Sequence, residues 1–250
     1  LFGRFWSITA NLAVVPIYLS YLSLESFGLI ALYTTIILAV NIADAGLSPS
    51  FARDVARADN IQNMANSLKT LEYVYFGIFC VIVIIALCFG AYITELLIDT
   101  KEYSANDYEI MIILMILSAG IQLCTAVYRA GFMGLEKQVK VNAYIVLYSF
   151  ARLFGPLVIF IWSIDLILYF EYQLIISIIY FLLIRNSFWC EIGEKQSGKF
   201  DKDYLHSIKR FAGGLFIVSI MSAITMQLDK FMVSHFVSKN NKVDGSKKVI

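Results

Sequence analysis

Ionised side chains are scarce in this sequence: Asp, Glu, Lys and Arg make up 16% of its 250 residues, against about 25% in a soluble domain. Hydrophobic residues account for 59%, and the mean hydropathy is +0.73. One core of this size cannot bury so much apolar surface, and 15% aromatic residues exclude a disordered chain. The net charge of +1 creates no overall field that would attract nucleic acid. The composition indicates a protein whose solvent is lipid.

Cysteine and histidine are also few. The four cysteines lack the paired spacing of a zinc or redox site, and we interpret them as small buried hydrophobic residues. His206 and His235 lie far apart, and neither belongs to a Glu-x-x-His pattern. The sequence therefore predicts no metal site, no cofactor and no catalytic residue.

Seven apolar runs are long enough to cross a bilayer, which takes about 17–25 helical residues. Only two contain an ionised residue, Arg152 and Glu171. Such runs exclude an outer-membrane barrel, whose strands alternate in polarity, and helices alone satisfy their own backbone hydrogen bonds in lipid. We therefore predict an all-α fold, a polytopic membrane helix bundle. The predicted spans are Phe5–Leu24, Phe27–Ala43, Tyr73–Ile93, Ile110–Val127, Val141–Trp162, Leu166–Ile184 and Phe211–Leu228.

Basic residues between the spans predict the orientation of the bundle. The connections after spans two, four and six are rich in Lys and Arg, whereas the alternate connections carry only Lys101. The positive-inside rule places the basic connections, with loops at 52–70, 134–140 and 186–210, and the amino terminus in the cytoplasm. The basic residues are Arg53, Arg57, Lys69, Arg129, Lys137, Lys140, Arg185, Lys195, Lys199, Lys202, Lys209 and Arg210.

The ends of the chain predict that it is a piece of a longer protein. It opens without an initiator Met, and the first span has no basic segment or cleavage site that would make it a signal peptide. The charged connector 191–210 is expected to separate an amino-terminal six-helix transmembrane lobe, 1–190, from the first helix of a second lobe, 211–237. The polar tail, 238–250, is interpreted as a truncated or unnatural end, because its lysines would lie outside the cell.

A charge at membrane depth costs about 2.5–3.5 kcal/mol on insertion scales and therefore points to function. Arg152 lies roughly 15 Å from either end of the fifth span at the helical rise per residue, which is too deep for easy snorkelling. We interpret it as a cationic residue of an internal cavity; the structural alternative is a buried ion pair with Glu171 or Asp44. Pro16 and Pro156 are expected to free backbone carbonyls and kink spans one and five.

Four further charges stand at the ends of spans. Asp44 follows span two, where it is either a cap or loop brace or a functional carboxylate. Arg4 is either an ordinary cytoplasmic anchor or a second cation that points into the bundle. Asp229 and Lys230 end the seventh run, and adjacent helical residues do not face each other, so they need separate partners.

Several sequence blocks stand at characteristic positions relative to the helices: Pro16 to Gly28, Asp44-Ala-Gly-Leu47, Phe51-Ala-Arg-Asp-Val-Ala56, Gly131-Phe-Met-Gly-Leu-Glu-Lys137 with Asn142, and Leu228-Asp-Lys-Phe-Met-Val233. In their order and spacing these blocks resemble Wzx-type O-antigen flippases, within the multidrug/oligosaccharidyl-lipid/polysaccharide exporter superfamily. They extend along the chain to about Phe236, and the resemblance ends after Val237, where no eighth helix follows. Family members have two six-helix lobes, so the chain resembles the amino-terminal lobe plus one helix.

The resemblance implies that the protein moves an undecaprenyl-diphosphate-linked O-unit across the bacterial inner membrane by alternating access of two lobes. It implies a lipid-linked oligosaccharide, membrane lipid, a polysaccharide polymerase and a chain-length regulator as partners. Arginine suits a diphosphate because its planar fork binds phosphate in a bidentate manner. The implied substrate-binding residues are Arg152 and Arg4, and the implied coupling or gating residues are Asp44, Asp229, Lys230 and Glu171.

Three other functions stay open. A multidrug/cation antiporter of the same superfamily would need an acidic site, whereas the deepest charge here is Arg152. A polytopic enzyme, such as an O-antigen polymerase or an acyltransferase, would need a large outer loop or a histidine motif. The longest predicted outer loop is Asp99–Asp107. A purely structural membrane subunit would leave the buried arginine unexplained.

Overall fold

A computed structural model describes residues 14–44, 46–58, 60–97, 103–162, 164–193, 198–208 and 221. Within these residues the structure is helical and contains no strand, which confirms the predicted all-α class. The helices are α1 (described over 14–21), α2 (Leu24–Ile42), α3 (Leu47–Ala56), α4 (Ile61–Leu97), α5 (Ala105–Gly134), α6 (Gln138–Trp162), α7 (Leu166–Glu191) and α8 (202–208).

Five of these helices, α2 and α4 to α7, are long and apolar enough to span a membrane. They contain predicted spans two to six. The first predicted span, Phe5–Leu24, is described only from residue 14, where its helix ends at Tyr21 and a new helix begins at Leu24. The seventh, Phe211–Leu228, lies outside the described residues apart from Met221. The chain is thus a multi-pass membrane protein.

Helix α5 lies at the centre of the bundle. It packs against α2, α3, α4, α6 and α7, and it carries buried residues around its whole circumference. By contrast, α4, α6 and α7 expose large apolar side chains such as Phe76, Ile161 and Leu182 on their outer faces. This inside-out pattern is expected of helices whose outer surface meets lipid, where apolar exposure costs nothing.

At one end of the bundle, helices α2, α5 and α7 each begin with a side-chain hydroxyl or carboxylate cap. Ser23 Oγ accepts from the backbone N–H of Ser26, Ser104 Oγ accepts from Asp107 N–H, and Asp165 Oδ1 accepts from Ile167 N–H, at 2.8–3.2 Å. Each cap satisfies one of the amide groups that the start of a helix leaves without an intrahelical partner. The antiparallel helices can therefore be joined by short turns.

The opposite end, which we call the basic end, is where α2, α5 and α7 stop and α4 and α6 begin. The helices here are longer than the apolar runs predicted, and α3 and part of α4 occupy the predicted loop 52–70. Lys69, Arg129 and Arg185, predicted in loops, lie inside α4, α5 and α7. A hydropathy profile does not reveal these extensions because they contain charged residues. Ion pairs within the bundle stabilise them: Lys69 and Arg185 both pair with Glu72.

The segment 198–208 docks on the extension of α4. Lys199 N–H donates to Asn66 Oδ1 and Asp201 N–H donates to Thr70 Oγ1, both at 2.8 Å. Ile208 is buried in the basic-end core, and burial raises the pKa of Tyr204 above its usual value. The segment 198–208 of the predicted connector is therefore packed against α4.

We predict that the basic end faces the cytoplasm. With Cys80, Cys88, Cys124 and Cys190 replaced, a single cysteine at Gln62 or Gln138 should resist an impermeant thiol reagent in intact cells. A cysteine at the exposed Asn106, at the other end of the bundle, should be labelled. Labelling at Gln62 and Gln138, with protection at Asn106, would invert the orientation.

Candidate functional site

Arg152 is surrounded by tyrosines, at the place where α1, α2, α6 and α7 approach one another. Its guanidinium carbon lies 5.2 Å from the centroid of the Tyr33 ring, in cation–π geometry. Tyr148 stands about one helical turn before Arg152 on α6, Tyr18 of α1 donates to the neighbouring carbonyl of Leu153, and the Tyr169 ring packs edge-on against the Tyr18 ring. We call these four residues the tyrosine cage. Three members of the cage are buried, whereas Arg152 itself is only half-buried.

The guanidinium of Arg152 has no carboxylate within 4.0 Å among the described residues, and it makes no hydrogen bond to any of them. The alternative of an ion pair with Glu171 or Asp44 therefore finds no contact in the described structure. Aromatic faces attract a cation without consuming its N–H groups. The tyrosine cage can thus hold the charge of Arg152 at membrane depth. The N–H groups of the guanidinium then stay available to bind an anion.

Pro156 interrupts the backbone hydrogen bonding of α6 at Arg152. Proline has no N–H, so it leaves the carbonyl of the residue four positions earlier, Arg152, without its helical donor. Gln173 Nε2 of α7 donates to that carbonyl at 3.1 Å. The neighbouring carbonyls of Ala151 and Leu153 accept from the hydroxyls of Tyr172 and Tyr18, at 2.8 and 2.9 Å.

Gly155 allows this contact between α6 and α7. A Cβ atom built on Gly155 would lie 1.9 Å from the hydroxyl oxygen of Tyr172. Tyr172 can therefore reach the carbonyl of Ala151 only because residue 155 has no side chain. Gln173 of α7 thus replaces the one helical donor that Pro156 removes, and Gly155 lets Tyr172 of α7 approach the same stretch of α6.

A layer of buried polar side chains continues the site into the bundle. Gln122 Nε2 of α5 donates to the hydroxyl of Tyr33 at 3.0 Å, so α5 orients the ring below the guanidinium. The Tyr148 hydroxyl and Ser177 Oγ lie 3.1 Å apart. Gln173 is fully buried, and its Oε1 has no partner in the described part of the chain. These groups keep the centre of an otherwise apolar bundle polar.

The other predicted site residues lie apart from Arg152. Asp44 accepts from Ser48 N–H at 3.3 Å and from Ser48 Oγ at 2.7 Å, and it also accepts from the Tyr75 hydroxyl. These contacts tie the end of α2 to α3 and α4, as a loop brace does. Glu171 is exposed beside Trp162 in an apolar groove between α6 and α7. Arg4, Asp229 and Lys230 lie outside the described residues.

The ionised residues of the predicted spans point to Arg152 but not to its surroundings. The tyrosines and glutamines around it are uncharged, so they do not stand out in an apolar span. Pro156, four residues after Arg152, was the available signal, because it predicts a free carbonyl beside the arginine. Nothing in the sequence identified Gln173 as its donor, since that depends on how α6 and α7 pack.

We predict that Gly155→Ala destabilises the protein by about 1–3 kcal/mol, the usual cost of overpacking, because the new methyl group would displace Tyr172. Gly77→Ala in α4 is the matched control, since nothing lies within 4 Å of a Cβ at that position. Thermal unfolding of the detergent-purified protein should show a lower midpoint for Gly155→Ala and an unchanged or higher midpoint for Gly77→Ala. Equal midpoints for the two variants would contradict the described packing.

The family model described as polysaccharide biosynthesis protein matches residues 4–243, which is almost the whole chain. No curated protein and no solved structure matches the chain significantly.

Proposed function

The chain belongs to the polysaccharide biosynthesis protein family, and on that premise we propose that it is a flippase for a lipid-linked oligosaccharide. The family and the membrane-spanning helices together indicate a role in membrane transport of a lipid-linked saccharide. In our proposal the substrate is an undecaprenyl-diphosphate-linked O-antigen repeat unit. It crosses the bacterial inner membrane from the cytoplasmic to the outer leaflet, and no covalent bond is made or broken.

The observation that carries the proposal is the guanidinium of Arg152, which has no carboxylate partner among the residues that the structure describes. A diphosphate loses its hydration when it leaves water, and this loss must be offset by charge and hydrogen bonds within the membrane. A planar guanidinium offers two parallel N–H groups to one phosphate. The tyrosine cage can keep these groups oriented while the prenyl chain stays in lipid.

The same geometry argues against the antiporter alternative. A cationic drug needs an acidic site, but no described carboxylate lies beside Arg152. Alternating access would come from rocking of this helical lobe against a second lobe. Arg4 is proposed as a second cation for the same substrate, and Asp44, Asp229, Lys230 and Glu171 stay proposals for coupling or gating.

We predict that Arg152→Ala in the full-length protein lowers O-antigen export about ten- to hundredfold, since charge-assisted hydrogen bonds contribute about 1.5–3 kcal/mol. Arg152→Lys should restore part of the export, because it keeps the charge but loses bidentate geometry. Surface O-antigen in a flippase-null strain gives the readout, and immunoblotting gives the protein abundance. Arg57→Ala, an exposed cation at the basic end, is the control and should export normally.

A structural role for Arg152 would give a different pattern. If it formed an ion pair with Glu171, Arg152→Ala would reduce abundance by leaving a charge unpaired. The double variant Arg152→Ala with Glu171→Gln would then recover both abundance and export. Such a recovery would reject substrate binding by Arg152.

A further inference from the structure

A second buried charge cluster lies towards the basic end, away from Arg152. The carboxylate of Glu72 in α4 accepts from Tyr128 of α5 at 2.7 Å and from Trp189 and Arg185 of α7 at 2.8 and 3.1 Å. Its second oxygen accepts from Lys69 Nζ at 3.0 Å. The Glu72 side chain is only 13% exposed. Four donors therefore saturate this carboxylate.

A cavity of about 230 Å³ opens beside this cluster, between α4, α5 and α7. We call it the α4/α7 groove. Lys69, Glu72 and Arg185 line it together with Tyr73, Phe76 and Tyr128. Nothing in the proposed transport step uses this space.

The charges in the groove do not balance. Within the described part of the chain, two cations, Lys69 and Arg185, face one carboxylate, so the cluster carries an excess of one positive charge. Lysine has three N–H donors and arginine has five, and the bonds to Glu72 use one of each. The remaining donors suit a ligand with one negative charge and several oxygen acceptors, such as a phosphodiester.

Apolar surface continues from the groove along the outside of the bundle. Tyr73 and Phe76 are 55% and 62% exposed, and they begin a run of exposed side chains on α4 that includes Val81, Ile84 and Leu87. Helix α7 exposes Ile175, Ile178, Ile179 and Leu182. A ligand that fills the groove would therefore lay hydrocarbon along these helices, which a soluble phosphate cannot do.

We propose that the α4/α7 groove binds an anionic phospholipid that carries one phosphodiester charge. Its phosphate contacts Lys69 and Arg185, and its acyl chains lie along the apolar surfaces of α4 and α7. Basic pockets between membrane helices on the cytoplasmic side attract anionic head groups in general. A bound lipid would tie α4 to α7 across α5.

Lipid retention by the purified full-length protein tests this proposal. Native mass spectrometry at a fixed concentration of phosphatidylglycerol should show about fivefold weaker binding for Lys69→Gln than for the wild type, the effect of one cation near a lipid phosphate. Lys140→Gln is the matched control: Lys140 also pairs with a carboxylate and lies over an aromatic ring, but it does not line the groove. This variant should retain lipid like the wild type.

Three further arms separate the possible outcomes. Phe76→Ser leaves the ion pairs intact and should also weaken retention, so it decides the question if Lys69→Gln fails to fold. Phosphatidylcholine should bind less than phosphatidylglycerol in the wild type. Equal binding of the two lipids, or equal retention by Lys69→Gln and Lys140→Gln, would overturn the proposal. If undecaprenyl diphosphate displaced phosphatidylglycerol from the groove, the site would belong to the transport substrate and the proposal would be wrong.

Discussion

A guanidinium at membrane depth must be stabilised without water, and this constraint organises the centre of the protein. The usual solution is a carboxylate, which would also neutralise the charge. Here the described structure surrounds Arg152 with tyrosine rings, of which Tyr33 lies in cation–π contact at 5.2 Å. Aromatic faces offset part of the lost hydration and leave the N–H donors available. In the proposed function, those donors bind the diphosphate.

The backbone of α6 also determines where Arg152 lies. Pro156 removes one helical hydrogen bond, and in a soluble protein water could replace it. In lipid the donor must come from the protein, so Gln173 of α7 binds the carbonyl of Arg152 while Tyr172 and Tyr18 bind its neighbours. Gly155 permits the close approach of Tyr172 to α6. The position of Arg152 therefore depends on three helices, and any motion between them would move the cation.

The sequence was sufficient to predict the class of fold and to single out Arg152 as a candidate site residue. Helical spans can be recognised in a sequence because each must be apolar over the thickness of the bilayer. Arg152 stands out because charged residues are rare within such spans. Two features could not be predicted. The helix extensions at the basic end depend on contacts of Glu72 with residues on α5 and α7 that are distant in sequence. The tyrosine cage consists of uncharged residues, and a hydropathy profile does not distinguish them from ordinary aromatic residues at the membrane interface.

Equilibrium binding of prenyl phosphates tests the central claim most directly. Purified full-length protein should bind undecaprenyl diphosphate more tightly than undecaprenyl monophosphate, because the second phosphate adds charge at Arg152. Arg152→Gln, which keeps a polar side chain but removes its charge, should strongly reduce this preference. An undiminished preference for the diphosphate in Arg152→Gln would contradict the account, because the cation in the tyrosine cage would then have no part in binding the head group.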